Sequence, residues 1–239
     1  MADRLTGAYQ LQLRRTREAV SGAVANQWQR LGSYNRADVP RFVERVTPIV
    51  QAGQSRAIAL SNAYVARKLL GTPFPVNVPD LRDTLRNGVP PAVVYQRPFV
   101  TVWTALKNGD DYSDAVDAGQ ARAESSSSMD VALAMTAAYT LFGFLSEQIV
   151  AWVRVADGGC CDYCQTLDGI HTGPTEPQPL HNFCGCTADP ITRQSKSDSF
   201  IRPGDTLGDV TIHQHGELGP VITKAGDHFT TEAEALARE

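Results

Sequence analysis

All five cysteines of this 239-residue chain fall in one stretch, "CCDYCQTLDGIHTGPTEPQPLHNFCGC", residues 160 to 186, together with two of its five histidines, His171 and His181. The spacing is Cys161-x2-Cys164, then 19 residues, then Cys184-x-Cys186. Because His181 precedes Cys184 by three, the stretch also reads as C-x2-C-x16-H-x2-C. Both forms resemble a structural zinc site, in which thiolates and imidazoles fill a tetrahedral shell of about four ligands. A C-x2-C turn aims two sulfurs at one point, and the long loop lets the chain return with the others. Cys161, Cys164 and His181 read as three ligands of one zinc per chain. The fourth is Cys184 or Cys186, since residues two apart on an extended strand share a side. Cys160 reads as spare, and His171, in the turn-like "DGIHTGP", as exposed.

Other chemistries for these thiols fit less well. Five is an odd number for a disulfide framework, and the opening residues lack the apolar core of a secretory leader. A redox C-x2-C pair expects a βαβ setting, which the helical first half does not supply. Catalytic zinc lacks its motifs: there is no H-E-x-x-H, and the "HGE" of His215 to Glu217 follows the cysteines, where a deaminase would place it before them. No G-x-S-x-G elbow is present either. The expected site is closed and structural, with no catalytic residue assigned.

Helices must carry this segment. Val20, Val24, Trp28 and Leu31 make one stripe, ending at Gly32. A second stripe runs from Val39 to Leu70, with Asp38 as a cap and Pro48 expected to kink or split it. "GTPFPVNVPD", residues 71 to 80, reads as a connector. Two prolines lead into a third helix, in which Pro98 is another breaker, and Ser113 is a candidate cap for the next. The serines at 125 to 128 read as a loop or a weak helical stretch. The longest apolar run, residues 131 to 145, is shorter than the roughly 18 to 20 residues of a membrane span and reads as a buried core helix. No stable membrane association is expected.

At "EQIVAWVRVADGG" the period changes from helix to strand. Residues 193 to 205 read as a linker. "DVTIHQHGELGPVITKAGDHF" has two apolar runs split by "GELGP", the pattern of a small hairpin, and an acidic tail follows. The expected organisation is a helical domain over 1–148, a zinc-binding β element over 149–192, and a linker with hairpin and tail over 193–239. The fold class is α+β, mainly α. An element of about 40 residues buries little core, so metal is expected to supply much of its folding energy.

The net charge of −4 hides an asymmetry. Residues 1 to 108 carry a balance of +9, and residues 109 to 239 a balance of −13. The zinc segment belongs to the acidic half: Asp157, Asp162, Asp168, Glu176 and Asp189 face only Arg154 between 152 and 190. A zinc-ribbon module that reads DNA through this segment is therefore disfavoured. The basic half could lie against nucleic acid.

The run "CDYCQTLDG", a proline-bearing loop and "HNFCGCTADP" together resemble the C-terminal motif of the phage Mu F-like head morphogenesis proteins. That pattern is C-x2-C-x2-L-x-G, a variable loop, then H-x2-C-x-C and a nearby proline. Cys161, Cys164, Leu167, Gly169, His181, Cys184, Cys186 and Pro190 fall on it. The resemblance covers about 150 to 190, is looser over the first half and weak at the tail. Asn182 and Gly185 stand where the family commonly has proline and arginine. A helical region ahead of the motif is typical of the family.

The resemblance implies a minor capsid protein of a tailed bacteriophage. It would act near the portal protein and the inner capsid or scaffold during head assembly, and would reside in the virion, inside the head, after synthesis in the bacterial host cytoplasm. Some relatives are labelled capsid maturation proteases. That or another procapsid hydrolase is the rival reading, and no catalytic motif here supports it.

Overall fold

The apolar run expected to form a short helix is the second half of a much longer one. In the computed structural model, which describes residues 3–181, 185–192, 204, 206–207 and 210–224, helix α5 spans Tyr112–Leu145. Four more helices precede it: α1 (Arg4–Gln29), α2 (Asp38–Lys68), the short α3 (Val78–Asp83) and α4 (Pro91–Lys107). A 3₁₀ turn, Leu85–Gly88, joins α3 to α4. Helix α5 packs against α1, α2 and α4, and is buried almost all round along its second half. An apolar helix without a polar face belongs in such a position. By length and composition α5 also passes as a membrane span, but 67% of its apolar window is buried inside the fold.

Four expectations for the helices are corrected. Helix α2 runs through Pro48 unbroken. Pro48 and Glu44 both lie on its exposed face, so water can serve the carbonyl that the missing N–H leaves free. Helix α4 likewise runs through Pro98. Of the two readings for the serines at 125–128, the structure takes the helical one and not the loop: they lie within α5, with Ser126, Ser127 and Ser128 buried. Their small size admits α1, and their hydroxyls are occupied. Ser127 Oγ donates to the Glu124 carbonyl at 2.9 Å, and Ser128 Oγ accepts from Arg17 Nε at 3.1 Å. Ser113 is not the cap of α5, which starts one residue earlier after Asp111. Asp38 is the first residue of α2 rather than its cap. Its carboxylate accepts from Ser33 Oγ at 2.8 Å.

Aromatic side chains fill the helical core. The Trp28 ring meets Phe42 edge-on and lies against Phe99. Gly119 lets α5 close onto this cluster, since a Cβ there would lie 2.5 Å from the Trp28 ring.

Six strands follow. β1 (Ile149–Val155) is the centre of an antiparallel sheet in the order β2-β1-β3, with β2 at His171–Thr172 and β3 at Thr187–Thr192. A second antiparallel sheet has the order β4-β5-β6: β4 (Thr206–Leu207), β5 (Val210–His215) and β6 (Gly219–Lys224). The last two form the hairpin that "GELGP" predicts. The acidic tail and most of the 193–205 linker lie outside the described residues.

The first sheet has no separate core. Ile149, Trp152, Leu180 and Ala188 belong to the same buried cluster as Trp28, Phe42 and Tyr139. The Trp152 ring lies 4.9 Å from that of Tyr139, and its Nε1 donates to the Pro174 carbonyl at 2.8 Å. The element over 149–192 therefore gains burial from the helices. The cysteine loop lies at its edge.

Gly143 sets the seam between helix and loop. A Cβ there would fall 1.7 Å from the Pro174 carbonyl oxygen, a backbone atom that cannot swing aside. Gly143→Ala is expected to cost about 2–4 kcal/mol of stability, beyond the overpacking range of an ordinary core site because backbone must move. Urea unfolding checks this; a midpoint equal to wild type would contradict the seam.

Candidate metal centre

The cysteine loop begins where β1 ends. Asp157 makes a tight turn: its Oδ1 accepts from Gly159 N at 2.6 Å and its carbonyl from Cys160 N at 3.0 Å. Cys161 then caps the short helix α6 (Asp162–Thr166) in extended conformation, and Gln165 N bonds the Cys161 carbonyl at 3.1 Å. One helical turn brings Cys164 beneath Cys161, fully buried. The returning strand is held by the hairpin: Leu180 pairs in parallel with Val221, donating its N–H to Pro220 at 3.0 Å and accepting from Ile222 at 2.9 Å. His181 is the next residue.

This brings three of the expected ligands together. The Cys161 and Cys164 sulfurs and one His181 ring nitrogen lie within 4.8 Å of one another, and the group could hold a metal ion. The Cys161 sulfur is 3.3 Å from His181 Nε2, and the Cys164 sulfur 2.8 Å from it. Zn–S near 2.3 Å and Zn–N near 2.0–2.1 Å in a tetrahedron place sulfur and nitrogen roughly 3.5 Å apart, so only a small adjustment separates this cluster from ligation. Cys184 lies outside the described residues. Cys186 is buried and packs in a small cluster with Cys164, beside Ala156 and Cys160.

The surroundings favour thiolate. Burial pushes the Cys161 thiol up, but the backbone N–H of Cys164, the charge on His181, the Cys164 side chain and the Tyr163 N–H together hold it below its ordinary value. Arg154, buried on β1, sets one Nη at 3.4 Å from the Cys164 sulfur and the other at 2.6 Å from the Pro179 carbonyl. A guanidinium that touches both Cys164 and the loop leading to His181 holds the two together and would offset charge on a Cys164 thiolate. Sequence reading noted Arg154 only as a lone charge in an acidic segment. Its place in a strand otherwise rich in β-branched and apolar residues was the available signal.

One ion pair ties the loop to α1, and a close backbone approach packs beside it. Arg14 pairs with the buried Asp157 at 2.7 Å. Gly185, between Cys184 and Cys186, packs against the same carboxylate; a Cβ there would fall 1.8 Å from Asp157 Oδ2. On β3, Asp189 accepts from the Tyr64 hydroxyl and pairs with Lys68 at 2.7 Å, while Lys68 also reaches Asp3 at 2.8 Å. Burial and the Asp189 charge push the Tyr64 hydroxyl well above the usual phenol range.

His171 does not match its expected exposure. It is buried on β2, opposite Val153. The turn-like "DGIHTGP" contains a two-residue strand, which hides the ring beneath the sheet edge. His215 and Glu217 carry no deaminase geometry. His215 Nδ1 accepts from the N–H groups of Glu217 and Leu218 at 3.1 and 3.2 Å. Glu217 is held by Arg97 at 2.6 Å and Arg86 at 3.3 Å, which pins the hairpin tip to α4 and the 3₁₀ turn.

Hydrogen bonds from Arg97 pull the Glu217 carboxyl down to about 2 against the opposing effect of burial, and the charges on Arg97 and Arg86 add to the pull. A depressed folded-state value means the stabilisation is present above the unfolded value of about 4.5 and is lost as pH falls towards about 2. The stability difference between wild type and Glu217→Gln should therefore shrink over that window, as read from urea midpoints. A difference that stays constant from pH 6 to about 2 would contradict the pairing.

No protein-family model, curated protein or solved structure matches this chain.

Proposed function

We propose that the chain is a structural minor head protein of a tailed phage, acting in head assembly beside the portal and inner capsid or scaffold, and holding one structural zinc. The observation that carries the reading is the meeting of Cys161, Cys164 and His181 at one point. These are the residues that carry the Mu F-like spacing, and they stand at the edge of a sheet packed on a helical body. Two thiolates and an imidazole form a donor set suited to zinc, with Cys184 or Cys186 as the fourth ligand. When bound, zinc supplies a cross-link between the turn after β1 and the loop that ends at His181. Arg154 keeps the buried Cys164 in position, and the Arg14–Asp157 pair holds the loop on α1.

The helical body presents the partner surfaces. On α2 the exposed face carries Arg41, Arg45, Arg56 and Arg67, with Glu44 its one acidic residue between 41 and 67. That face suits packaged DNA or an acidic portal surface, in keeping with a location inside the virion after synthesis in the host cytoplasm. Nothing in the donor set calls for catalysis.

The test is made in the phage that encodes the chain. Purified heads should contain the protein at low copy, co-purifying with portal, and a null phage should accumulate defective heads that the wild-type gene rescues. Absence from heads at every assembly stage would contradict the proposal. A serine or aspartate substitution that stops capsid-protein cleavage while heads still assemble would replace it with the protease reading.

A further inference from the structure

A cleft of about 290 Å³ opens between α2, the 3₁₀ turn, α4 and α5, far in sequence from the cysteine loop. Val50, Val89 and Val94 give it an apolar wall, and Gln54 and Arg82 lie on its polar side. Gln54 is only 8% exposed, yet its side-chain amide has no hydrogen-bond partner among the described residues. Its amide therefore faces the cleft rather than a protein partner.

Arg82 stands in a similar position. It makes no ion pair among the described residues. Its Nε is buried without an acceptor. Its Nη1 reaches only the Gln51 carbonyl at 3.5 Å and Ser55 Oγ at 3.4 Å, both at the long limit of a hydrogen bond.

The other cation at the cleft is already committed. Arg86 pairs with Asp130 at 2.5 Å and with Glu217 at 3.3 Å, and Asp130 also accepts from Tyr95 at 2.5 Å. The cleft thus holds a neutralised pair and the Arg82 guanidinium, with the exposed Asp83 carboxylate also on the lining but in no ion pair with Arg82 among the described residues. Its rim is strained: Arg86 and Asn87 have φ of 52° and 53°, and Gly88 follows at 76°. Left-handed backbone is disfavoured at non-glycine residues and often marks a wall held in place for a ligand.

We propose that this cleft binds a monocarboxylate with a short apolar body, held by the Arg82 guanidinium and the Gln54 amide. The guanidinium fork matches a carboxylate in shape and charge. Asp130, on the same cleft, repels the second charge of a phosphate dianion. The volume lies at the small end of ligand sites, which limits the apolar body to a few carbons or one ring. The carboxylate comes either from a free small acid or from the C-terminus of a peptide.

Titration of the full chain with isovalerate, benzoate and acetyl-Ala-Val, each beside its carboxamide, tests this. The readouts are the Gln54 side-chain amide and Arg82 Nε–H resonances in ¹⁵N-correlated NMR spectra. At least one acid is expected to saturate with Kd at or below the order of 1 mM and to bind at least about tenfold tighter than its amide. Arg82→Met should weaken that acid by at least about tenfold, and Gln54→Leu by several-fold. Tighter binding of isovalerate or benzoate assigns the site to free small acids, and tighter binding of the dipeptide assigns it to a chain end. Failure of every acid to saturate, or equal binding of acid and amide, overturns the proposal. The acid–amide comparison is made on the wild type and does not depend on how the variants fold.

Discussion

Cys164→Ser is expected to abolish tight zinc binding and to lower the thermal midpoint by roughly 10 °C. A ligand that binds only the folded state at a thousandfold excess over its Kd stabilises by about 4 kcal/mol, and in a chain of this size each kcal/mol moves the midpoint by roughly 2–4 °C. Cys164 is fully buried beside Arg154, so serine removes the thiolate and leaves that guanidinium facing a neutral hydroxyl. The loss should spread beyond the loop. Leu167 and Ile170 share a small buried cluster with Val210, Ile212 and Ile222 of the hairpin, and His181 follows the Leu180 bridge to the same hairpin. Hydrogen exchange should therefore quicken in β5 and β6 as well as in α6. A chelator should bring wild type down to the variant and leave the variant unchanged. Cys160→Ser, outside the three-ligand group, should keep the metal. Equal midpoints with and without chelator would remove the metal from the account.

Asp130→Ala is expected to cost about 3–5 kcal/mol. Asp130 is 5% exposed in the middle of α5, between Arg86 and the Tyr95 hydroxyl. Truncation leaves a buried guanidinium and a buried phenol without their acceptor, and an orphaned buried charge is among the most destabilising changes a core can suffer. Glu217 still faces Arg86, which places the cost towards the lower end of the range. Asp130→Asn keeps an acceptor for one partner and should cost less. Urea unfolding of both variants gives the comparison. A cost under about 0.5 kcal/mol for the alanine variant would mean that the pair is not formed in solution.

The helices and the β1 strand were legible because their signals are local. The stripe of Val20, Val24 and Trp28 and the alternation from Ile149 to Val155 each record which face meets the core. The interruptions were misread because their resolution is tertiary. Pro48 is tolerated since its face is exposed, and the buried serines serve the approach of α1, which no local pattern announces. His171 looked exposed because a two-residue strand gives no periodic signal. Cysteine and histidine spacing pointed to Cys161, Cys164 and His181 as candidate ligands, and the fold brings those three together in a group that could hold a metal ion. Their supporting residues were not legible. Arg14 reaches Asp157 across 143 positions of sequence, and Lys68 reaches Asp189 across 121. Such pairs exist only once the sheet lies on the helices.

Elemental analysis of the full chain, made in a reducing cytosol and purified without chelator, tests the central claim most directly when a thiol count is made on the same sample. The account predicts about one zinc per chain, lost in Cys161→Ser and in Cys164→Ser, with free thiols recovered when the metal is released. A chain that carries no zinc, folds to the same stability and shows its cysteines oxidised in pairs would contradict it.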